Sequence, residues 1–323
     1  ANHVFLIMND ASSSYSATVK TYSGAATVAT LAAGKSSLFS ADDGTWAQVG
    51  GGGNGYGTTE ARLTLATGMP ITTTDQTAKT TVYLTPYKGN VVMLYTGSAW
   101  VVHNLTELSI AVPSTTNTPF DIFLDYNAGT PQLAVTDWTN DTTRATALTT
   151  QDGVYVQTGN TDWKYLGTGC TTGVSGQIEN SETKRLLWNY YNRVSTNISV
   201  IETTASWSYS TAAYRPLNND TTNRIEIVCG VSEDAVDIDV MAVVLSDAVN
   251  PRYTGIGVNA TNANTWDILI RSAGIAYSLA HTKLRTVPAV GYTYYQCLEY
   301  GSGAGTQTWY GASEAGISAM WMC

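Results

Sequence analysis

The sequence is poor in charged residues, and this scarcity limits the functions open to it. Only 13% of its 323 residues are Asp, Glu, Lys or Arg, and the net charge is −9, whereas about a quarter of a typical soluble domain is charged. Proteins that bind nucleic acids concentrate Lys and Arg in patches, and this chain has 16 basic residues in all. We therefore expect no nucleic acid among its partners.

Long apolar runs are also missing. No run approaches the roughly 18 residues that a transmembrane helix requires. The first ten residues, A-N-H-V-F-L-I-M-N-D, lack the basic region and the length of a signal peptide and are more typical of a strand. The sequence thus predicts no membrane insertion.

Cysteine and histidine are few and scattered. No C-x-x-C pair occurs, so neither a disulfide framework nor a Cys-based metal site is indicated. Isolated histidines do not suggest a zinc site or a nucleophilic triad, and a G-x-S-x-G elbow is absent. We predict no enzymatic activity and no cofactor, and we expect Cys229 and Cys297 to be reduced core residues. The residues concerned are Cys170, Cys229, Cys297, Cys323, His3, His103 and His281.

Thr, Ser, Asn and Gly supply most of the polarity, together with 20 Tyr and 9 Trp but only 4 Phe. Hydroxyl and amide side chains suit the outward face of strands and have low helix propensity. Short apolar runs separated by turn residues at about ten-residue spacing predict strands throughout. The predicted fold class is all-β, built of short-stranded modules with a C-terminal β-sandwich of jelly-roll kind.

Composition along the chain predicts four segments. Residues 1–49 form a small β module for attachment or oligomerisation, with five strands. The Gly-rich run 50–57 is a linker, since no βαβ unit surrounds it to support a phosphate-binding loop. Residues 58–170 form a middle sandwich or barrel, and residues 171–323 form the C-terminal sandwich with an exposed or receptor-binding role.

Thr81 to Leu108 reads as strand, turn, strand, turn, strand, with reversals at Lys88-Gly89-Asn90 and at Gly97-Ser98. Ser181 to Val194 could begin a helix, because a Ser cap precedes Glu182. Its apolar residues also alternate with the period of a strand, and we favour the strand.

Several segments resemble structural proteins of tailed bacteriophages. N-D-A-S-S-S-Y-S-A-T-V-K-T and A-A-G-K-S-S-L-F-S-A-D-D-G-T-W are similar to a small β module of phage fibres. Y-L-T-P-Y-K-G-N-V-V-M-L-Y-T-G-S-A-W and K-R-L-L-W-N-Y-Y-N-R-V resemble segments of virion structural proteins. The resemblance ends near residue 247, and its motifs are structural.

This resemblance implies a setting and a set of partners. It implies a virion protein, a homotrimer that contacts other tail or capsid proteins and binds a glycan or protein of the host surface. A tail fibre is the favoured function. The alternatives are a capsid head fibre or decoration protein, a virion-associated polysaccharide depolymerase, and a cell-surface or secreted filament subunit.

The candidate binding residues are aromatic side chains near the C-terminus, since rings and hydroxyls together suit sugar recognition. Packing in the core or at a trimer interface is the favoured interpretation of these aromatic residues. Asp237 and Asp239 share one face of a predicted strand. The favoured interpretation is that this face is simply exposed to solvent. Weaker readings are a Ca²⁺ site or a carboxylate pair for glycoside hydrolysis. The aromatic candidates are Tyr292, Tyr294, Trp309, Tyr310 and Trp321.

Overall fold

The computed structural model describes residues 3–8, 17–20, 27–31, 36–42, 45–51, 55–127, 129–247, 249–266, 268–270 and 276–323. The chain divides into two compact units, Ala1–Gly55 and Tyr56–Cys323. Residues 52–54 of the predicted Gly-rich linker lie outside the described residues.

The first unit contains the five strands that the sequence predicts. β1, β4 and β5 form an antiparallel sheet in the order β1-β4-β5, and β2 pairs with β3 separately. The strands are β1 (His3–Met8), β2 (Ala17–Lys20), β3 (Thr27–Leu31), β4 (Ser36–Asp42) and β5 (Thr45–Gly51).

The second unit is also built of strands, which confirms the all-β prediction. Its first twelve strands are β6 (Ala61–Thr64), β7 (Gln76–Lys79), β8 (Thr81–Pro86), β9 (Val91–Tyr95), β10 (Trp100–Asn104), β11 (Leu108–Ala111), β12 (Pro119–Asn127), β13 (Thr130–Asn140), β14 (Thr143–Arg144), β15 (Leu148–Gln151), β16 (Val154–Gln157) and β17 (Asn160–Cys170).

The remaining strands are β18 (Ile178–Asn180), β19 (Lys184–Arg185), β20 (Leu187–Asn189), β21 (Ser195–Ile201), β22 (Ser206–Ser208), β23 (Tyr214–Pro216), β24 (Arg224–Cys229), β25 (Val236–Ser246), β26 (Tyr253–Val258), β27 (Ile268–Ile270), β28 (Tyr277–Thr286), β29 (Gly291–Tyr300) and β30 (Gln307–Met322). A 3-10 turn, Leu217–Asn219, is the one helical segment in the described part of the chain. No helix there is long and apolar enough to cross a membrane.

Alternation of apolar and polar residues explains the long strands. In β25 the side chains of Val236, Ile238 and Val240 are fully buried, whereas those of Asp237 and Asp239 are partly exposed on the opposite face. A period of two places every second side chain on the same face of a sheet. β25 is therefore the amphipathic strand that the sequence predicts.

Two sheets of the second unit pack face to face. A seven-stranded sheet has the order β23-β29-β24-β19-β18-β7, with β26 also on β29. A six-stranded sheet has the order β21-β30-β25-β28-β27, with β22 also on β30. Thr254 of β26 and Thr282 of β28 are both fully buried, and their hydroxyls lie 2.9 Å apart between the sheets. This pair of sheets is a β-sandwich.

The other strands form a sheet in the order β14-β13-β12-β17-β16-β15, with β20 also on β17, and two small sheets, β11-β8-β6 and β10-β9. The three strands predicted between Thr81 and Leu108 are present. However, only β9 and β10 form a hairpin with each other. At the first reversal Lys88 and Gly89 adopt positive φ values of 66° and 149°, and β8 pairs with β6 and β11 instead of β9.

Strand pairing crosses the predicted boundary at residues 170 and 171, which falls inside the second unit. β7 pairs with β18, and β17 pairs with β20. β19 and β20 also show that the stretch from Ser181 to Val194 contains strands, as favoured from the sequence. All four cysteines are free and buried, which confirms the expectation for Cys229 and Cys297.

Candidate functional site

The five aromatic candidates from the sequence lie in three different places. Trp309 and Trp321 are only 0% and 1% exposed, because their positions on β30 point between the two sheets of the sandwich. They pack in the core and present no ring to a ligand, which corrects their selection as binding residues. Tyr310, their neighbour on β30, lies on the outer face of the six-stranded sheet. Tyr292 and Tyr294 lie together on the outer face of the seven-stranded sheet.

The two tyrosines line a cleft of about 310 Å³. We call it the tyrosine cleft, and we define its floor by the side chains of Lys184, Arg224, Glu226, Tyr292 and Tyr294. The loop residues Asn117 and Asp141 form part of its rim.

Strand register places the floor residues side by side. Glu226 of β24 is opposite Lys184 of β19 on one side and Tyr294 of β29 on the other. The intervening residues Ile225 and Ile227 point to the sandwich core and are fully buried. The alternation that anchors β24 in the core thus also directs its two charged side chains into the cleft.

An ion-pair cluster lies at the centre of the floor. The Arg224 Nε donates to Glu226 Oε1 over 2.9 Å. The Lys184 Nζ lies 3.8 Å from Glu226 Oε2 and 3.7 Å from Glu179 Oε2. Glu226 is 8% exposed, and a carboxylate this buried needs such partners. Two cations therefore share one buried carboxylate.

The same cations retain donor capacity for a ligand. At 3.7 and 3.8 Å from its carboxylates the Lys184 ammonium is beyond ordinary hydrogen-bond distance of both. Arg224 bonds Glu226 through Nε alone, and its guanidinium carbon lies 4.7 Å from the centre of the Tyr294 ring. One face of Tyr294 is therefore covered by Arg224, which holds the guanidinium in place by a cation–π contact.

The titratable groups around the cleft are suited to binding. Burial, together with the nearby charge of Glu226, raises the pKa of Tyr292, so its hydroxyl stays protonated at neutral pH. Burial likewise raises the pKa of the Cys170 thiol, which keeps it from acting as a thiolate nucleophile. The arrangement offers hydrogen-bond donors, a shared carboxylate and aromatic rings.

Close backbone contacts fix the rim. Tyr292 N donates to Asp141 O over 2.9 Å. This approach depends on Gly291, whose φ is 109° and where a Cβ would come 2.0 Å from the same carbonyl oxygen. On the other side, Asn117 N donates to Thr172 O over 2.9 Å. The rim is therefore held by main-chain hydrogen bonds to the sheets below it.

Asp237 and Asp239, the weak candidates for a metal site, face basic residues of the neighbouring strand β28. Asp239 accepts from His281 Nε2 over 2.8 Å and lies 3.7 Å from Lys283 Nζ. Asp237 lies 3.8 Å from Arg285 Nε. Within the described residues, no group of three His, Cys, Asp or Glu side chains is arranged to hold a metal ion.

Sequence reasoning missed the charged half of the cleft. Arg224 and Glu226 alternate with isoleucines in R-I-E-I-V-C, which is a signal for two polar side chains on one face of a strand. That signal does not say which face a ligand can reach. Lys184 lies about forty residues before Glu226 in the sequence and joins it only through parallel pairing of β19 with β24.

No protein-family model matches the chain, and no curated protein matches it. Similar solved structures include the insecticidal delta-endotoxin Cry8Ea1 of Bacillus thuringiensis, at 7% identity over 82% of this chain and 52% of the toxin, with a TM-score of 0.25. A Cry1Da tryptic core variant from the same organism has 7% identity over 76% and 48%, with a TM-score of 0.19.

An exo-β-1,3-galactanase of Phanerochaete chrysosporium, solved with galactose, has 11% identity over 89% of this chain and 75% of the enzyme, with a TM-score of 0.18. The chain spans about half the length of the two toxins. Likenesses with TM-scores this low carry no argument about the function of this chain.

Proposed function

We propose that this chain is a bacteriophage tail-fibre protein whose second unit binds a host-surface glycan in the tyrosine cleft. The observation that carries the proposal is the cleft itself, where Tyr292 and Tyr294 lie beside Arg224, Lys184 and Glu226. The sequence resemblance to phage fibre modules supplies the setting. The all-β architecture is compatible with that setting.

A sugar has the chemistry that this cleft can recognise. Its hydroxyl groups both donate and accept hydrogen bonds, and its C–H faces pack against aromatic rings. Arg224 and Lys184 supply donors, Glu226 supplies an acceptor, and Tyr292 supplies a hydroxyl next to a ring. A few convergent polar groups in a pocket are what fixes a small ligand's orientation.

The location of the chain in the particle tests the fibre assignment. Gold-labelled antibody against the second unit should decorate the tail ends of the virions that carry this chain. Labelling spread at high copy over capsids, and absent from tails, would instead identify a head fibre or decoration protein.

Cell binding tests the recognition role. The purified chain should bind host cells, and a truncation after residue 170 should abolish binding because it removes all five residues of the cleft floor, of which Lys184 comes first in the sequence. A matched Arg224→Met variant of the full chain should bind at least tenfold less, with circular dichroism unchanged. Release of oligosaccharide from host capsule by the intact chain would assign it as a depolymerase instead.

A further inference from the structure

The outer face of the six-stranded sheet exposes an unusual amount of apolar surface. The outward face of an antiparallel sheet is ordinarily polar, and contiguous exposed apolar patches mark interaction sites. A shallow groove of about 350 Å³ runs across this face beside Gly316 and Ser318. Six large apolar side chains on the outer face of this sheet are 45% to 65% exposed: Ile201, Met241, Ile268, Tyr277, Leu279 and Met320.

Charged residues on the same face are segregated by strand. Asp237 and Asp239 lie on β25, and Lys283 and Arg285 lie opposite them on β28. The pairs are loose, with nitrogen–oxygen distances of 3.7 Å for Asp239 with Lys283 and 3.8 Å for Asp237 with Arg285. One strand is therefore acidic and its neighbour is basic at the same height along the sheet.

Further along the same two strands the outward residues are apolar except for His281, which bonds Asp239. Met241 is opposite His281, Val243 is opposite Leu279, and the next outward pair brings Tyr277 opposite Leu245. The face thus has a charged end and an apolar end, and each end has one half on β25 and the other half on β28.

We infer that this face binds the same face of a second copy of the chain, about a two-fold axis that runs parallel to the strands, midway between β25 and β28. This pair of copies is an alternative to the homotrimer that the sequence resemblance implies. Such an axis keeps each residue at its height along the strand and exchanges the two strands. It therefore sets Asp237 against Arg285 of the other copy, and Asp239 against its Lys283. The apolar end meets the apolar end.

The charge pattern favours a second copy over an unrelated partner. An interface of two-fold symmetry uses the same patch on both subunits, so the patch must complement itself. The acidic strand of one copy faces the basic strand of the other copy only about this axis. The tyrosine cleft lies on the other sheet of the sandwich, facing away, so pairing leaves it open. A pair would display two clefts, which strengthens attachment to a repeating ligand.

Sedimentation of the full chain over a range of concentrations tests the pairing. The wild type should sediment with twice the mass of the 34.5 kDa chain, and Met241→Lys should sediment as a single copy because it replaces an exposed apolar side chain of this face with a charged one. Val174→Lys is the matched control, because Val174 is 56% exposed on a loop away from this face. It should leave the wild-type mass unchanged.

A charge exchange tests the proposed axis. The double variant Asp237→Lys/Asp239→Lys carries only positive charges at this end, and Lys283→Asp/Arg285→Asp carries only negative ones. Each should sediment as a single copy when alone, and an equimolar mixture should restore the double mass. Mixing cannot repair contacts within one sheet, so this rescue reports contact between copies.

Three results would overturn the inference. They are a wild type that sediments as a single copy at all concentrations, an association that Met241→Lys leaves intact, and charge variants that fail to pair on mixing although each is folded by circular dichroism. None of these results bears on glycan binding by the tyrosine cleft, which does not depend on the inference.

Discussion

Single residues of the same type have opposite roles in this protein, and their position on a strand decides which role each has. Tyr292 and Tyr294 line the cleft, whereas Tyr295, the next residue along β29, is fully buried. Successive side chains of a strand point to opposite faces of the sheet. Aromatic composition therefore identifies a region rich in candidates, and only the burial of each position separates ligand-facing rings from core rings.

Lys164 is another residue whose environment could not be read from the sequence. Its side chain is 1% exposed, and its Nζ donates to the carbonyl oxygens of Thr58 over 2.8 Å and of Met93 over 3.1 Å. It also lies 4.9 Å from the centre of the Tyr191 ring. Burial lowers the pKa of Lys164 from 10.5 to about 7.

The buried amine predicts a pH dependence of stability. Between pH 7 and 10.5 the unfolded chain holds a proton on Lys164 that the folded chain does not, so the free energy of unfolding should rise with pH over this window. The slope for one proton is at most about 1.4 kcal/mol per pH unit. Urea unfolding at several pH values should show this rise in the wild type.

A matched pair of variants isolates the contribution of Lys164. In Lys164→Met the free energy of unfolding should no longer rise with pH between 7 and 10.5. Lys88 is exposed, so Lys88→Met should keep the rise. An equal slope in the wild type and in Lys164→Met would show that another group is responsible.

At the scale of the element, local signals predicted the strands well and their partners poorly. Alternation and turn residues are properties of a few consecutive residues, and they located β8, β9 and β10 correctly. Pairing depends on contacts between distant parts of the chain. Nothing within the stretch from Thr81 to Leu108 indicates that β8 pairs with β6 and β11.

The candidate site shows the same limit. Half of it, Tyr292 and Tyr294, was selected from composition alone. The other half depends on the parallel pairing of β19 with β24 and on the loop that carries Asp141. These elements are separated by tens of residues, so the sequence contained the cleft residues without showing that they meet.

The close contact between β29 and the loop that carries Asp141 can be tested by substituting Gly291. Gly291→Ala should destabilise the fold, because φ is 109° and the added Cβ would lie 2.0 Å from Asp141 O. Gly159→Ala is a matched control, since φ is 90° there and no atom lies within 4 Å of the added Cβ. It measures the backbone strain alone, about 1 kcal/mol.

Thermal unfolding of both variants measures the difference. Gly291→Ala should lose more stability than Gly159→Ala by about 1 to 3 kcal/mol, the usual range for disturbed packing at a buried site. Equal losses in the two variants would mean that the rim is not held by the close approach at Gly291.

At the scale of the whole molecule, the second unit uses the two outer faces of one sandwich differently. The seven-stranded sheet carries a polar, ion-paired cleft, and the six-stranded sheet carries a broad apolar face with segregated charges. The core between them is formed by the inward residues of both sheets, including Trp309 and Trp321. The two faces point away from each other, so the proposed glycan binding and the proposed pairing of two copies do not compete for the same surface.

Glycan binding by the tyrosine cleft can be measured directly. The most direct measurement is binding of the purified full chain to an array of bacterial surface polysaccharides, with Arg224→Met and Tyr294→Ala compared with Lys88→Met. The wild type and Lys88→Met should bind the same glycans. Arg224→Met should lose at least about tenfold in affinity, since one charge-assisted hydrogen bond contributes about 1.5 to 3 kcal/mol. Tyr294→Ala should also lose affinity, because it removes the ring that packs against the sugar and supports Arg224. Glycan binding that both cleft variants retain, or an array that the wild type does not bind, would contradict the proposed glycan binding.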